Sequence, residues 1–427
     1  MTLKPASREF ALQKDNDDIL KNFRDQFFID SENTIYLDGN SLGRLPKKTK
    51  QLIGNVVEKQ WGTELIESWN QHWYQKSQQL GNKIAPIIGA SPGEVIVSDS
   101  TSLNLYKLAH AALRYQKNKS EVVSDNLNFP TDLYILQGLI REFGSEYQLI
   151  LANSRDGVII DLDEIKAKIT PKTALVVLSL VAFKSAFMYP LEKITKHAHE
   201  MGAMVLWDLS HATGAVQVDL NKAEADLAVG CTYKYLNGGP GSPAFLYVRN
   251  DLQDKLFSPV QGWFGDTSPF EFDLTYRPAT GIRKFLTGTP PVLNLMAIES
   301  GINMINEAGM ANIQNKSNEL SEYFLQLVKE TLLPLGFGIG SPEDSSQRGS
   351  HVSLKHHEAY QICQALIHPQ NSEIRIISDF REPDNIRFGF TPLYTTFLKV
   401  WLTVQRLSEI ISTGEFELYK KEKPEVT

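Results

Sequence analysis

A chain of 427 residues that is 42% hydrophobic and 22% charged, with 28 Gly and 20 Pro, has ordinary globular composition, which excludes a collagen, a coiled coil and a disordered tail protein. Its net charge of −7, with no block of like charge before the mixed run 419–423, argues against a nucleic-acid partner. No stretch of eighteen apolar residues occurs, so no membrane partner is expected.

The opening MTLKPASREF runs into the polar QKDNDD without the apolar core of a signal peptide. Cys231 and Cys363 form no C-x-x-C pair, so a reducing, cytoplasmic setting is expected, with neither a zinc cluster nor a disulfide framework. A helix is predicted over 15–26, leaning on a smaller C-terminal domain. Short apolar, β-branched runs at 94–97, 121–124, 147–151, 174–180, 203–207, 227–231 and 244–248 predict strands. They are apolar on both sides of the pleat, as strands covered on two faces are. Helical spacing over 131–143, 161–168 and 191–201 separates them, and repeated β–α units imply a largely parallel sheet.

Beyond about residue 290 the texture changes. Long amphipathic helices are predicted over 294–308 and 313–333, then a strand at 351–354, a helix near 358–366, and strands at 374–377 and 385–389. The fold class is α/β: a large domain with a mostly parallel sheet and a smaller α+β C-terminal domain. The divisions are 1–45 for an N-terminal segment packing on the small domain, 46–300 for the large domain and 301–427 for the small one, with the boundary between about 290 and 310.

The chemistry concentrates in WDLSH at 207–211 and TYKYLNGGPG at 232–241. Asp208 ends one predicted core strand and Lys234 lies just beyond the next, at the sheet edge where open α/β folds bind ligands. A buried carboxylate and a buried amine each need a partner. Pyridoxal phosphate offers both, because its aldehyde condenses with a lysine amine and its ring nitrogen needs an acid to stay protonated. A plain buried Asp–Lys ion pair is the rival reading. SDSTSLNLYK at 98–107 offers hydroxyls and backbone N–H groups for a phosphate where a helix opens, against the rival of ordinary N-capping. Phe129 is placed to stack on a bound ring, with core packing as its rival. His197 with His199, and His356 with His357, are spaced so that neither pair makes a metal-binding face, and no metal is expected.

These strings resemble kynureninase, a fold-type I pyridoxal-phosphate family: YLDGNSLGRLP at 36–46, SDSTSLNLYK, FPTDLY at 129–134, WDLSHATGAV at 207–216, the long 225–248 run, GWFG at 262–265, RGSHVSL at 348–354 and DFREPDNIRFGFTPLY at 379–394. The resemblance implies that Lys234 holds the pyridoxal 5'-phosphate aldehyde, Asp208 its ring nitrogen, Phe129 its face, and Thr101 with Ser102 its phosphate. Pro130, Thr131, Asp132, Ser179, His211 and Tyr233 fall on other cofactor-shell positions. Trp263 and Thr289 fall where the family contributes residues across a homodimer interface, and Arg387 falls where it clamps the substrate α-carboxylate. Trp69 and His72 lie in the region lining the substrate ring, with aromatic packing as the rival role for Trp69.

The implied reaction is hydrolysis of L-kynurenine, or its 3-hydroxy form, to an anthranilate and L-alanine, a step of tryptophan degradation. In that reading Lys234 moves the Cα proton, and Tyr233, expected to have a lowered pKa, transfers the last one. The chain departs from the family at Asp266, where a His is common, at Thr289, where some members carry Asn, and across VAFKSAF at 181–187. Those positions bear on ring specificity. The alternatives are another fold-type I enzyme, such as a cysteine desulfurase or an aminotransferase, or a non-catalytic member acting as a ligand sensor or subunit scaffold. A desulfurase needs a mobile thiol, whereas Cys231 and Cys363 fall in a predicted strand and a predicted helix.

Overall fold

Seven short strands, β1 (Val95–Val97), β2 (Glu121–Asp125), β3 (Gln148–Ala152), β4 (Thr173–Ser179), β5 (Met204–Asp208), β6 (Leu227–Gly230) and β7 (Phe245–Val248), form the central sheet of the computed structural model. That structure describes residue 4 and residues 6–420; residues 1–3, 5 and 421–427, with the end of the charged run 419–423, lie outside the described residues. The sheet order is β1-β7-β6-β5-β4-β2-β3. Only β7 runs against its neighbours, and every other adjacent pair is parallel. Each strand lies within one residue of its predicted ends.

The double-sided apolar pattern has a direct structural cause. Along β5, Val205 and Trp207 enter one hydrophobic core while Met204 and Leu206 enter another on the opposite face. Helix Thr101–Tyr115 covers the second face through Leu105, Leu108 and Ala112, and helices Lys76–Ile84 and Val292–Ala308 cover the first through Leu80, Ile84, Leu295 and Ile298. Among the described residues, no helix is long and apolar enough to cross a membrane.

A third core lies under the four-stranded antiparallel sheet of Asp379–Arg381, Asn385–Gly389, His351–Lys355 and Gly338–Ile339, in that order. Helices Met310–Thr331, Ala359–Ile367 and Phe397–Thr413 pack on it. The last of these has no counterpart among the predicted elements, although Phe397, Val400, Val404, Leu407 and Ile410 carry helical spacing and are all buried.

The N-terminal helix differs from its expectation. It spans Arg8–Asp17 and is followed by a separate 3₁₀ turn, Lys21–Gln26. The break falls at Asp18, whose carboxylate accepts from the Leu20 N–H at 2.8 Å and forms an ion pair with Lys316 at 2.6 Å. Asp15 on the same helix accepts from the backbone N–H groups of Phe397 and Leu398 at 2.6 and 3.0 Å, capping helix Phe397–Thr413. The strand expected at 374–377 pairs, as Arg375–Ile377, with Thr34–Tyr36 in a two-stranded parallel sheet and not with Asn385–Gly389.

From that strand the chain crosses between the two sheets. Gly389 N–H donates to the Leu37 carbonyl at 2.6 Å, and Gly43 N–H donates to the Tyr233 carbonyl at 2.8 Å. A Cβ at Gly43 would lie 2.3 Å from the Lys234 carbonyl oxygen and 2.5 Å from Asn237 Oδ1, so only glycine lets the segment close on this loop. Gly43→Ala is therefore expected to cost about 1–3 kcal/mol, as overpacking of a tight contact does. A urea midpoint unchanged from wild type would contradict this.

Candidate active site

The carboxyl ends of the central strands bring the chemistry together. Asp208 closes β5, Ser179 closes β4, and β6 ends at Gly230, with Cys231 immediately outside the strand expected to contain it and Lys234 three residues further on. Ligands bind at this edge of an open parallel sheet.

Asp208 is 5% exposed and is held by neutral donors, Ser210 N–H at 2.8 Å and Ser210 Oγ–H at 2.6 Å, with Ser179 Oγ 3.4 Å away. Burial pushes its carboxyl upward, against the opposing pull of Ser210 and Lys234. It forms no ion pair with Lys234. The Lys234 amine instead donates to His211 Nε2 at 2.8 Å. The rival reading of a simple Asp–Lys pair thus fails, and the sheet edge holds a buried acid without a bonded cation. His211 is itself kept far below its ordinary pKa by burial and then by the Lys234 charge, and its Nδ1 has no partner. Asp132 is buried, with Oδ2 unpartnered, and burial with the Asp208 charge pushes it well up.

At the same edge of the sheet, helix Thr101–Tyr115 opens directly after β1. Ser100 is its cap, accepting from Leu103 N–H at 3.3 Å, which leaves the hydroxyls of Thr101 and Ser102 in the first turn outside that duty. Behind them Asp99 accepts from Lys107 Nζ at 2.7 Å, Ser98 Oγ at 2.7 Å and Thr287 Oγ1 at 2.8 Å, fastening the segment that leads to Thr289. Phe129 is 44% exposed and meets Phe183 edge-on at 5.3 Å, so its ring is not a core ring. Asn128, overlooked in the sequence, organises this wall: it accepts from Ser179 Oγ–H at 2.7 Å and from Phe129 N–H at 2.8 Å while donating to Ser124 Oγ at 3.1 Å. Phe129 precedes helix Pro130–Phe143, whose first turn contains Pro130, Thr131 and Asp132.

Arg387 arrives from the smaller sheet and is 2% exposed. Its Nε donates to Asp379 Oδ1 at 2.7 Å, and its Nη2 donates to Asp379 Oδ2 and to Ser41 Oγ, the latter at 3.1 Å. Its Nη1 donates to the Phe183 carbonyl. The guanidinium fork expected for a substrate is therefore occupied by Asp379. The sequence hides this partner because the two residues become cross-strand neighbours only when the 379–389 hairpin forms.

Tyr233 corrects an expectation. Its phenol is pushed above its ordinary pKa by the adjacent Cys231 thiol first, then by burial and by Asp208, so it is held protonated. Trp69 meets Trp73 edge-on at 5.4 Å and Phe264 at 5.7 Å, and His72 pairs with Glu64 at 3.1 Å. Trp263 packs edge-on against Phe264 at 4.5 Å and against Phe270 at 5.6 Å, while Thr289 is exposed. Among the described residues, no hydrogen bond, ion pair or ring contact within this chain joins these four to Lys234. Asp266 accepts from Ser268 and Arg277 N–H groups at 2.8 and 2.7 Å, so the residue at this departure braces its own loop. The 181–187 departure folds back on itself through Ala182 N–H to the Phe187 carbonyl, at 2.8 Å, and thereby presents Phe183 to both Phe129 and Arg387.

The fold is widely shared. A cysteine desulfurase from Thermococcus onnurineus NA1 superposes with a TM-score of 0.75 at 20% identity, covering 89% of this chain and 95% of its own. A cysteine desulfurase from Escherichia coli gives 0.76 at 15% identity, covering 98% and 100%. A further structure, a mutant solved with glycine covalently linked to its PLP cofactor, gives 0.75 at 18% identity, covering 88% and 97%. Sequence similarity is narrower. The family described as Kynureninase C-terminal domain matches residues 313–407. A kynureninase of Pseudomonas fluorescens is 43% identical over 410 residues, 95% of each chain. One of Burkholderia pseudomallei strain K96243 is 41% identical over 412 residues, 95% of this chain and 96% of its own. With likeness of that depth running through both sheets and the segment between them, the chain belongs to the kynureninase family.

Proposed function

We propose that this chain uses pyridoxal phosphate to hydrolyse L-kynurenine, or its 3-hydroxy form, to an anthranilate and L-alanine. The observation carrying the reading is the buried, cation-free carboxylate of Asp208 beside a lysine amine, in a chain of this family. That acid suits the cofactor's protonated ring nitrogen, Lys234 its aldehyde, Thr101 and Ser102 its phosphate, and Phe129 its exposed face. The unpartnered Asp132 Oδ2 and His211 Nδ1 supply polar contacts on the same side. Once joined to substrate, pyridoxal phosphate supplies an electron sink for the charge left when the Cα proton departs.

The remaining work falls to side chains. Lys234 takes the Cα proton and hands it on, and neutral His211 beside it accepts a hydrogen bond from the amine without competing for charge. Arg387 fixes the α-carboxylate, and Asp379 and Ser41 fix Arg387. Tyr233, held protonated, donates the proton that completes the alanine methyl group. A desulfurase is disfavoured because both cysteines are free but buried, and burial pushes Cys363 up to about 12 and raises Cys231 as well, so neither presents a thiolate. Their free state suits a reducing compartment, and we place the chain in the cytoplasm.

The site is completed by a second copy in this reading. Trp263, Phe270, Phe272 and Leu274 are 38%, 56%, 73% and 102% exposed, an apolar surface that a homodimer would cover, carrying Trp263 and Thr289 to the partner's cofactor. Adding L-kynurenine to the reconstituted protein is expected to release fluorescent anthranilate and alanine in equal amounts, from a species that sediments as a dimer. Keto-acid-dependent transfer without anthranilate would assign an aminotransferase, cofactor binding without turnover a sensor, and a fully active monomer would remove the shared site.

A further inference from the structure

His351 is 0% exposed, and neither of its ring nitrogens has a hydrogen-bond partner of good geometry. It lies on the strand His351–Lys355, opposite Gly389, two pairs along from Ser353 opposite Arg387. His351 and Arg387 therefore share one face of the small sheet as diagonal neighbours, with Cα atoms about 7–8 Å apart. Two contacts fix where that face points. The imidazole lies 5.4 Å from the ring of His211, the residue that holds Lys234. The Phe183 carbonyl, which accepts from Arg387 Nη1, also lies close enough to His351 to favour its protonated form.

The donors of Arg387 can be counted. A guanidinium has five N–H groups. Asp379 takes two, Ser41 one and the Phe183 carbonyl one, leaving a single N–H on Nη1. A carboxylate has two oxygens to satisfy, and one remaining N–H cannot grip both. Beside that same Nη1 sits a buried imidazole whose ring nitrogens have no well-formed hydrogen bond, the Phe183 carbonyl being a near neighbour that Arg387 already engages. We infer that His351 is a second carboxylate-binding residue, donating its N–H to one oxygen of the amino-acid substrate while Arg387 Nη1 holds the other. Burial, reinforced by the Arg387 charge, keeps the imidazole neutral, with a pKa pushed down to about 3, so it carries one N–H donor at neutral pH. The arrangement explains why a polar ring with no well-formed hydrogen bond persists in a closed site: its full partner arrives with the substrate.

This inference rests on the proposed amino-acid reaction but is tested separately from it. Binding of L-alanine, the product carrying the carboxylate, is measured by calorimetry on the holoenzyme of wild type, His351→Phe and His351→Gln. The Phe variant keeps the ring volume and loses the donor, and its Kd should rise about tenfold, the weight of one hydrogen bond to a charged group. The Gln variant restores an N–H and should stay within about threefold of wild type. The KM for L-kynurenine should follow the same order with kcat nearly constant, and L-alanine amide, which lacks the carboxylate, should not discriminate between the variants. A folded Phe variant that binds L-alanine like wild type overturns the inference. So does one that loses kcat at unchanged KM, which would make His351 a prop for His211. A wild-type protein that neither cleaves kynurenine nor binds L-alanine fails the proposed function instead.

Discussion

Lys234→Ala is expected to abolish turnover and the visible absorbance of bound cofactor together, and borohydride should then trap no adduct at this position. The size of the effect follows from the two jobs that meet on one nitrogen. The amine anchors the cofactor and later moves the Cα proton, and among the described residues no other lysine acts on Asp208 or His211 to replace it. General acid–base catalysis of this kind is worth roughly 10²–10⁴-fold on its own. Loss of the covalent anchor comes on top of that. The fold should survive, because Lys234 is only partly buried and its hydrogen-bond partner is a neutral imidazole. Removing it costs about one ordinary hydrogen bond, on the order of 1 kcal/mol. Lys234→Arg sharpens the test, since a guanidinium keeps the positive charge beside His211 but cannot condense with an aldehyde at neutral pH. Retained turnover in either variant would refute the assignment.

Much of this site is legible in the amino-acid sequence, and the reason is physical. Parallel strands buried on both faces leave an unmistakable apolar signature, Asp208 interrupts it where burial makes charge expensive, and Lys234 follows just beyond the next strand. What escapes the sequence shares a different property: it depends on contacts between distant segments. Asn128 reads as a polar loop residue until Ser179 donates to it from the adjacent strand end. Asp379 reads as one acid in a charged hairpin until it takes the fork of Arg387. The helix break at Asp18 has a local part, its carboxylate taking the Leu20 N–H, but the Lys316 that pairs with that carboxylate lies almost three hundred residues away. The expectation for Tyr233 fails for a related reason. Proximity to a cationic amine argues for a lower pKa, but the thiol two residues back and burial act the other way and prevail.

Asp208→Asn should separate cofactor binding from catalysis. The variant is expected to retain pyridoxal phosphate and its absorbance, because Lys234 still condenses with the aldehyde, while kcat falls by about a hundred- to a thousandfold, the scale lost when a preorganised electrostatic group in a buried site is removed. Carboxylate and amide have the same shape, so Ser210 N–H and Oγ–H can still donate to the remaining side-chain oxygen. What disappears is the negative charge. Without it no anion would face the ring nitrogen of a bound cofactor, and Asp208 could no longer sustain the electron-sink chemistry that the cofactor would supply. The stability of the cofactor-free protein points the same way. Burial raises the Asp208 carboxyl, so its charge is a cost that a cation must offset. The Asn variant should thus melt at the same temperature as wild type, or higher, without cofactor, and gain less from adding it, since a ligand stabilises only in proportion to its affinity for the folded state. A variant within tenfold of wild-type kcat would mean that Asp208 serves only to brace the strand end through Ser210, and the electron sink would have to draw its proton from elsewhere.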